Sequence, residues 1–414
     1  MTGSLQIGVD VSRAEHVAEI LDPAGAAVGR RRVPNSPAGG QQLIAWVLEQ
    51  ARHLSVAEIR VGMEATNVYW WHLFHQLLAH AELRAFPTHL FLLNPHDIAH
   101  FKKALGIVDK SDPVDAHTIA QYLRFRTDLH EAYTPDPRYE ALQVLTRARF
   151  QLVHVQAQEK NRVLARVFQA FSAYGKGRPF ADVFGATSQH VLAELTVSEI
   201  ASLDLPCLAQ RVFGASADAY FPAGRPEAIL HELVQLARDS YRCDAYTESA
   251  LRTAIRAHLE VIRQIQRQTR HLEQEIETAM ARIPGRLQSI PGLGPVFEAG
   301  IVTEIGPLDR FRDDDQVARF AGLTWRRNQS GEFEADTRPL TRRGNSYLRY
   351  YLCEAANSVR VHEAGLASYY ARKYREARHH PHKRALVLTA RRLLRTIYAL
   401  LKRGEEFDPK RRSA

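Results

Sequence analysis

The chain has 414 residues, 45% hydrophobic and 24% charged, a globular composition too long for one ordinary domain, so two or three are expected. A formal net charge of +9 and a pI near 9.5 point to an anionic partner, and the arginine clusters favour nucleic acid over a membrane surface. Three scattered cysteines, Cys207, Cys243 and Cys353, exclude a disulfide framework or a zinc knuckle. The start lacks an apolar signal core and no window approaches ~18 uninterrupted apolar residues, so a protein of a reducing cytoplasm with no membrane span is expected.

In chain order, residues 5–11, 16–21 and 26–33 read as a three-stranded meander, with a turn at Asp22-Pro23-Ala24-Gly25. A helix over about 38–54 follows, then a fourth strand over 59–64 that ends on an acid. Further on come a helix near 67–80, a short strand around 84–87, and a helix from Asp112 to about Arg124. Three strands and then alternating helices and strands make an α/β layout, and this order is the RNase H-like plan. In such sheets, sites form at strand ends near the reversal of strand order.

Residues 138–170 read as one long helix carrying Arg147, Arg149 and Arg162 on a basic side. Residues 171–245, with their Pro and Gly breaks, read as an inserted subdomain. From Leu251 to Ile283 apolar residues recur at alternating steps of four and three for more than four heptads. That periodicity predicts a coiled coil, between subunits or folded back within one chain. The stretch Pro291-Gly292-Leu293-Gly294-Pro295 then opens an apolar helix over 296–305. Its glycines suit a phosphate-binding hairpin of the helix-hairpin-helix kind, although a tight interhelical turn needs the same residues. A mainly helical C-terminal region ends in a basic amphipathic helix over 382–403. The expected division is 1–135, 136–245, 246–284 and 285–414.

The chemistry concentrates in Lys110-Ser111-Asp112-Pro113-Val114-Asp115-Ala116. Asp112 and Asp115 fall on one helical face and can share a cation. Taken alone, Asp at an N-cap with Pro behind it is ordinary helix-start chemistry. Asp10, however, interrupts the apolar run 7–11, and Glu64 follows Val61-Gly62-Met63. A buried, unpaired carboxylate costs several kcal/mol. Four acids that the fold brings together repel one another, which raises their pKa values, and two Mg²⁺ ions ~4 Å apart would resolve the repulsion on a phosphodiester. Ser330 is a second candidate: it lies in a polar loop among Arg326, Arg327, Arg342, Arg343 and Arg349, which could hold a phosphate under attack by a hydroxyl. A Ser-Gly pair is more often a plain turn.

Seven stretches carry a resemblance: GVDVSRAEHVAEILD (8–22), GMEATNVYWWHLF (62–74), NPHDIAHFKKALGIVDKSDPVDAHTIAQYL (94–123), SIPGLGPVFEAGIVTEIG (289–306), FAGLTWRRNQSG (320–331), TRRGNSYLRYYL (341–352) and ALVLTARRLLRTIYALLKRGEEFDP (385–409). In this order and spacing the chain resembles a DEDD-type transposase of the insertion-sequence one-ten family. The resemblance implies a RuvC-like N-terminal domain joined by a coiled coil to a C-terminal transposase domain. It implies Asp10, Glu64, Asp112 and Asp115 as the Mg²⁺-binding set and Ser330 as the nucleophile that forms a 5′-phosphoserine with cleaved DNA. It further implies donor and target DNA guided by a structured non-coding bridge RNA. The family works as a homodimer or homotetramer whose active site combines the RuvC-like domain of one subunit with the serine domain of another. The large segment 171–245 and the acidic residues Glu332, Glu334 and Asp336 after the serine depart from the family pattern.

Other readings fit parts of the same pattern. A plain metal-dependent nuclease or junction resolvase would use water and leave Ser330 as a turn residue. A sugar kinase on the related actin-like fold also begins like Gly8-Val9-Asp10-Val11, but Ser12-Arg13-Ala14 lacks a phosphate loop. A non-catalytic RNA- or DNA-binding protein would need only the basic helices.

Overall fold

The computed structural model describes residues 3–65, 67–109, 111–132, 136–177, 179–214, 225–283, 285–325, 329–330, 333–334, 340–341 and 343–409. The chain divides into two compact units, Met1–Thr134 and Pro135–Ala414.

The first unit is built on five strands, β1 (Ser4–Val11), β2 (Glu15–Leu21), β3 (Ala27–Pro34), β4 (Glu58–Glu64) and β5 (Thr88–Leu93), in the order β3-β2-β1-β4-β5. The meander β1–β2–β3 is antiparallel, whereas β4 and β5 run parallel to β1. That is the RNase H-like arrangement the element order predicts. Alternation along β1 sorts its two faces. Leu5, Ile7 and Val9 are fully buried in one core with Leu43, Ile44 and Val47 of α1 (Pro37–His53). Each such side chain contributes about 1.5–3 kcal/mol. The even-numbered residues of β1 face α5 (Asp112–Phe125), which lies across β1, β2 and β4.

The fifth strand corrects the sequence expectation, which put it around 84–87. Residues Ala81–Ala85 form a helical turn, α3, after α2 (Trp70–Ala79), and the strand starts only at Thr88. Ala, Glu, Leu and Arg are all strong helix formers, and Pro87 forces the residue before it into extended backbone, so the switch falls there. A helix the pattern did not yield, α4 (Pro95–Ala104), follows β5, with the Asn94 side chain accepting from the His96 N–H at 3.0 Å.

The second unit is helical. Its arm pairs α6 (Pro137–Ala170), about 50 Å long, with a later 36-residue helix, Ala245–Met280. Between them come α7 (Ala186–Glu194), α8 (Val197–Ser202), α9 (Leu205–Phe213) and α10 (Arg225–Arg238), and the later helix is α11. Of the two coiled-coil arrangements expected, α11 takes the folded-back one. Ile276 and Met280 meet Leu142, whereas Ile255, Leu259 and Ile262 meet Val163 and Val167, so the two helices run antiparallel. Arg149 bonds Glu273 at 2.8 Å and His258 bonds Glu159 at 2.8 Å across the seam. The segment read as an inserted subdomain caps the far end of this arm, with Leu192, Leu208 and Leu233 in the same core.

The remainder consists of α12 (Pro295–Ile305), α13 (Asp314–Ala321), α14 (Ser346–His362), α15 (Ala364–Glu376) and α16 (Pro381–Arg403). These share a core around Ile301, Tyr351 and Leu394. The glycine turn before α12 is tied from inside. Glu298 accepts the N–H groups of Arg286 and Leu287, both at 2.9 Å, and the Gln288 amide at 2.9 Å. Among the described residues no helix is long and apolar enough to cross a membrane.

Candidate active site

The site in the first unit follows from two glycines. Gly8 and Gly62 are paired on the parallel strands β1 and β4. A Cβ on Gly8 would lie 2.1 Å from the Ala116 carbonyl oxygen and 2.4 Å from the Ala120 nitrogen, and one on Gly62 would meet Leu123 at 2.9 Å. Only glycine lets α5 lie this close to the sheet. Two residues further along each strand, and therefore on the same face, come Asp10 and Glu64. Val9 pairs with Met63, so these acids are the next residues in register on strands about 4.8 Å apart.

Asp112 and Asp115 occupy the first turn of α5, upstream of the Ala116–Ala120 contact with Gly8. The N-cap is Ser111, with no side-chain capping bond, and Asp112 is already the first helical residue. Its ordinary explanation as an N-cap is thereby removed. A buried clamp holds the helix to the sheet: Glu19 on β2, 3% exposed, bonds His117 of α5 at 2.8 Å and Arg30 of β3 at 2.7 Å.

The four carboxylates feel one another. Asp10 is raised from 3.8 to about 6, first by burial, then by the charges of Asp115, Asp112 and Glu64, with Lys102 opposing them. Among the described residues no three Asp, Glu, His or Cys side chains converge tightly enough to grip an ion as they stand. The two observations differ in range: Coulomb repulsion acts well beyond the 2–3 Å of a ligand bond. The donor set therefore fits Mg²⁺ in chemistry, as hard carboxylate oxygens offered by two strands and a helix, and it would have to draw in on binding. In the meantime Lys102 of α4 forms an ion pair with Asp115, with only 15% and 25% of the two side chains exposed. Lys102 was not singled out from the sequence. Its only advance signal was a lysine in the last turn of a helix the pattern did not reveal.

The candidates of the second unit are placed as follows. Ser330 is described in its backbone only: Gln329–Ser330 pairs antiparallel with Phe333–Glu334, Ser330 opposite Phe333. The base of this hairpin is closed by the Trp325–Leu340 bridge and by the Thr324 and Thr341 hydroxyls, 3.0 Å apart. Arg326, Arg327 and Arg342 lie outside the described residues. Arg343 is exposed, and Arg349 donates to the Ala321 carbonyl at 2.9 Å. Arg147 grips Glu304 through two bonds of 2.7 and 2.9 Å, and Arg149 bonds Glu273 and the Tyr350 hydroxyl. Arg162 pairs with Glu159 and leaves 56% of its side chain exposed.

An RNase H-like sheet that carries a carboxylate cluster beside its central strand defines a class of enzymes that act on nucleic-acid strands. Two models of one such group match this chain, one described as "Transposase" over residues 7–172 and one as "Transposase IS116/IS110/IS902 family" over residues 285–371, together more than half of it. The chain belongs to the IS110/IS116/IS902 transposase family and is an enzyme of the transposase/recombinase type. It is 28% identical over 342 residues to the mini-circle putative transposase for IS117 of Streptomyces coelicolor, covering 76% of this chain and 75% of that protein. It is 25% identical over 411 residues to the uncharacterized 42 kDa protein of insertion element IS900 from Mycobacterium paratuberculosis, covering 97% and 96%. T. thermophilus RuvC in complex with Holliday junction substrate aligns over 31% of this chain and 99% of its own, at 14% identity and a TM-score of only 0.24.

Proposed function

We propose that this transposase cuts and rejoins donor and target DNA under the guidance of a bridge RNA, with Ser330 as nucleophile and Mg²⁺ held by Asp10, Glu64, Asp112 and Asp115. The observation that carries the reading is the state of Asp10: burial first, and then the charges of Asp115, Asp112 and Glu64, lift it to about 6. A chain that bends two strands and a helix toward such repulsion gains nothing in stability from it, so a cation is the natural beneficiary. When bound, Mg²⁺ would supply positive charge to the non-bridging phosphate oxygens and to the leaving oxygen.

The Ser330 hydroxyl would attack phosphorus, lose its proton, and displace the 3′ oxygen, which leaves as a 3′-hydroxyl. The 5′-phosphate stays on the serine, and attack by another 3′-hydroxyl would reverse the step and rejoin the strand. Exposed guanidinium groups such as those of Arg162 and Arg343 would grip backbone phosphates, an affinity that falls steeply with salt. Arg147 and Arg149 serve first to hold the arm and the C-terminal helices together. The working form would be a homodimer or homotetramer in the bacterial cytoplasm.

The test is trapping. The full-length protein is incubated with element-end DNA, the element's RNA and Mg²⁺, and the digest is searched by mass spectrometry for a nucleotide adduct. An adduct on Ser330 that disappears in Ser330→Ala and in Asp112→Ala is the expected result. Free 5′-phosphate ends released equally by Ser330→Ala would replace this mechanism with a water-using nuclease.

A further inference from the structure

The C-terminal helix α16 has two working faces. Ala390, Leu393, Leu394 and Ile397 are fully buried in the core. Leu388, Arg391, Arg392, Arg395 and Thr396 recur at helical spacing on the other side and line a cavity of about 580 Å³. Trp325 and Tyr369 supply its aromatic walls. The one acid in the lining, Asp315, is occupied: it and Asp314 bind Arg391, whose side chain is 18% exposed.

The other two arginines remain available to a ligand. Arg395 comes no closer than 3.9 Å to Asp314 and is 72% exposed. Arg392 is exposed and lies over the Tyr369 ring at 4.6 Å, while Arg372 lies over the same ring at 5.3 Å. An indole, a guanidinium over a phenol ring and a second, largely exposed guanidinium make a surface for something flat and anionic at once. A nucleotide has both properties, with a base to stack and a phosphate to pair. The volume lies within the range of small-ligand pockets and admits one base with its sugar, whereas a base still stacked in a duplex could not enter.

We propose that this cavity receives a single unpaired nucleotide, its base stacked between Trp325 and the Arg392–Tyr369 pair and its phosphate held by Arg395. Trp325 stands five residues before Ser330, at the base of the serine hairpin. A nucleotide held there would therefore fix its strand close to the proposed nucleophile, and only that purpose rests on the proposed function. The shared chemistry is an extruded or single-stranded nucleotide, whether of RNA or DNA.

Binding is measured on the full chain carrying Ser330→Ala in Mg²⁺-free buffer, so that neither cleavage nor the metal site enters. The probes are a labelled ~10-nucleotide oligo-dT, an oligo-U of equal length and a blunt DNA duplex. Trp325→Ala and Arg392→Ala are expected to weaken one or both single strands by about tenfold, the size of one lost stacking contact, and the duplex by less than about twofold. Trp325→Phe, which keeps an aromatic face, should bind nearly as the parent. The strand that loses more identifies the occupant as DNA or RNA, and equal losses mean that either fits. Should an alanine variant melt early, Arg392→Lys keeps the charge and removes the planar stack, and the same selective loss is required of it. Equal losses for single strands and duplex, or no loss, would overturn the pocket. An absent Ser330 adduct would overturn the proposed chemistry while leaving this result untouched.

Discussion

The acids of the helical unit and those gathered around Asp10 in the sheet unit are treated in opposite ways, although Glu19 of the same sheet has its donors in His117 and Arg30. In the helical unit each deeply buried carboxylate has its donors: Glu304 takes two bonds from Arg147 and one from the Asn345 amide, Glu298 takes two backbone N–H groups and an amide, and Glu159 takes His258 and Arg162. In the sheet unit Asp10 is pushed up to about 6 by burial first and then by three like charges, with Lys102 opposing. Acids with donors build structure, because the hydrogen bonds offset their desolvation. Acids gathered against one another oppose the fold and acquire a use only when a cation or proton joins them.

Removing a member from each group should break the symmetry in opposite directions. Asp10→Asn is expected to lower DNA cleavage by about a thousandfold or more, the several kcal/mol a metal contributes to a developing charge, while the metal-free protein melts no lower than the parent. A clear fall in metal-free stability would return Asp10 to the structural acids. Glu304→Ala should instead cost about 2–3 kcal/mol in urea unfolding, since it removes charge-assisted bonds from the half-buried Arg147 guanidinium and one from the Asn345 amide. A double-mutant cycle with Arg147→Ala should then recover much of that loss. A loss below about 1 kcal/mol would mean the pair is no better than a surface ion pair.

How much of this contrast can be read in advance depends on distance along the chain. Asp10 and Glu64 are visible because each is a local anomaly, an acid within an apolar strand pattern. The near-continuous burial of β1 and β2 is visible too, because their apolar runs are local. The fifth strand was placed a few residues early because Ala81–Ala85 and Thr88–Leu93 are both short and apolar-rich, and only the wider context sorts helix from strand. The partners of charges are not local at all. Arg147 and Glu304 are 157 residues apart and Arg149 and Glu273 are 124 apart, so counting arginines cannot distinguish a phosphate grip from a structural clamp. The heptads of α11 announce a seam but carry no address for the helix that fills it. The close approach at Gly8 is likewise invisible, because its cause lies in α5, about a hundred residues later.

Acidification tests the contrast more gently. A carboxyl whose folded pKa lies above its unfolded value holds extra protons when folded. Its stabilising contribution is therefore full below about pH 4 and is lost as pH rises through about 6. The metal-free protein should gain about 1–2 kcal/mol from Asp10 between pH 7 and pH 4, the shift discounted for solvent screening of a partly exposed group, read as a rising urea midpoint. Mg²⁺ must displace the same proton, so its affinity by calorimetry should fall up to about tenfold per pH unit below 6. A metal affinity flat from pH 7 to pH 5 would detach Asp10 from the metal.

The smallest effect sharpens the comparison most, because it concerns a cation already in the cluster. Lys102 pairs with Asp115 and opposes the like charges at Asp10. If the cluster is built for a metal, this lysine is a competitor that the metal must push aside, and Lys102→Gln should tighten Mg²⁺ binding severalfold by calorimetry. If the lysine is instead the intended partner, in the manner of Arg147 for Glu304, the substitution will leave Mg²⁺ affinity unchanged. The sign of the change in metal affinity separates a stand-in cation from a structural one.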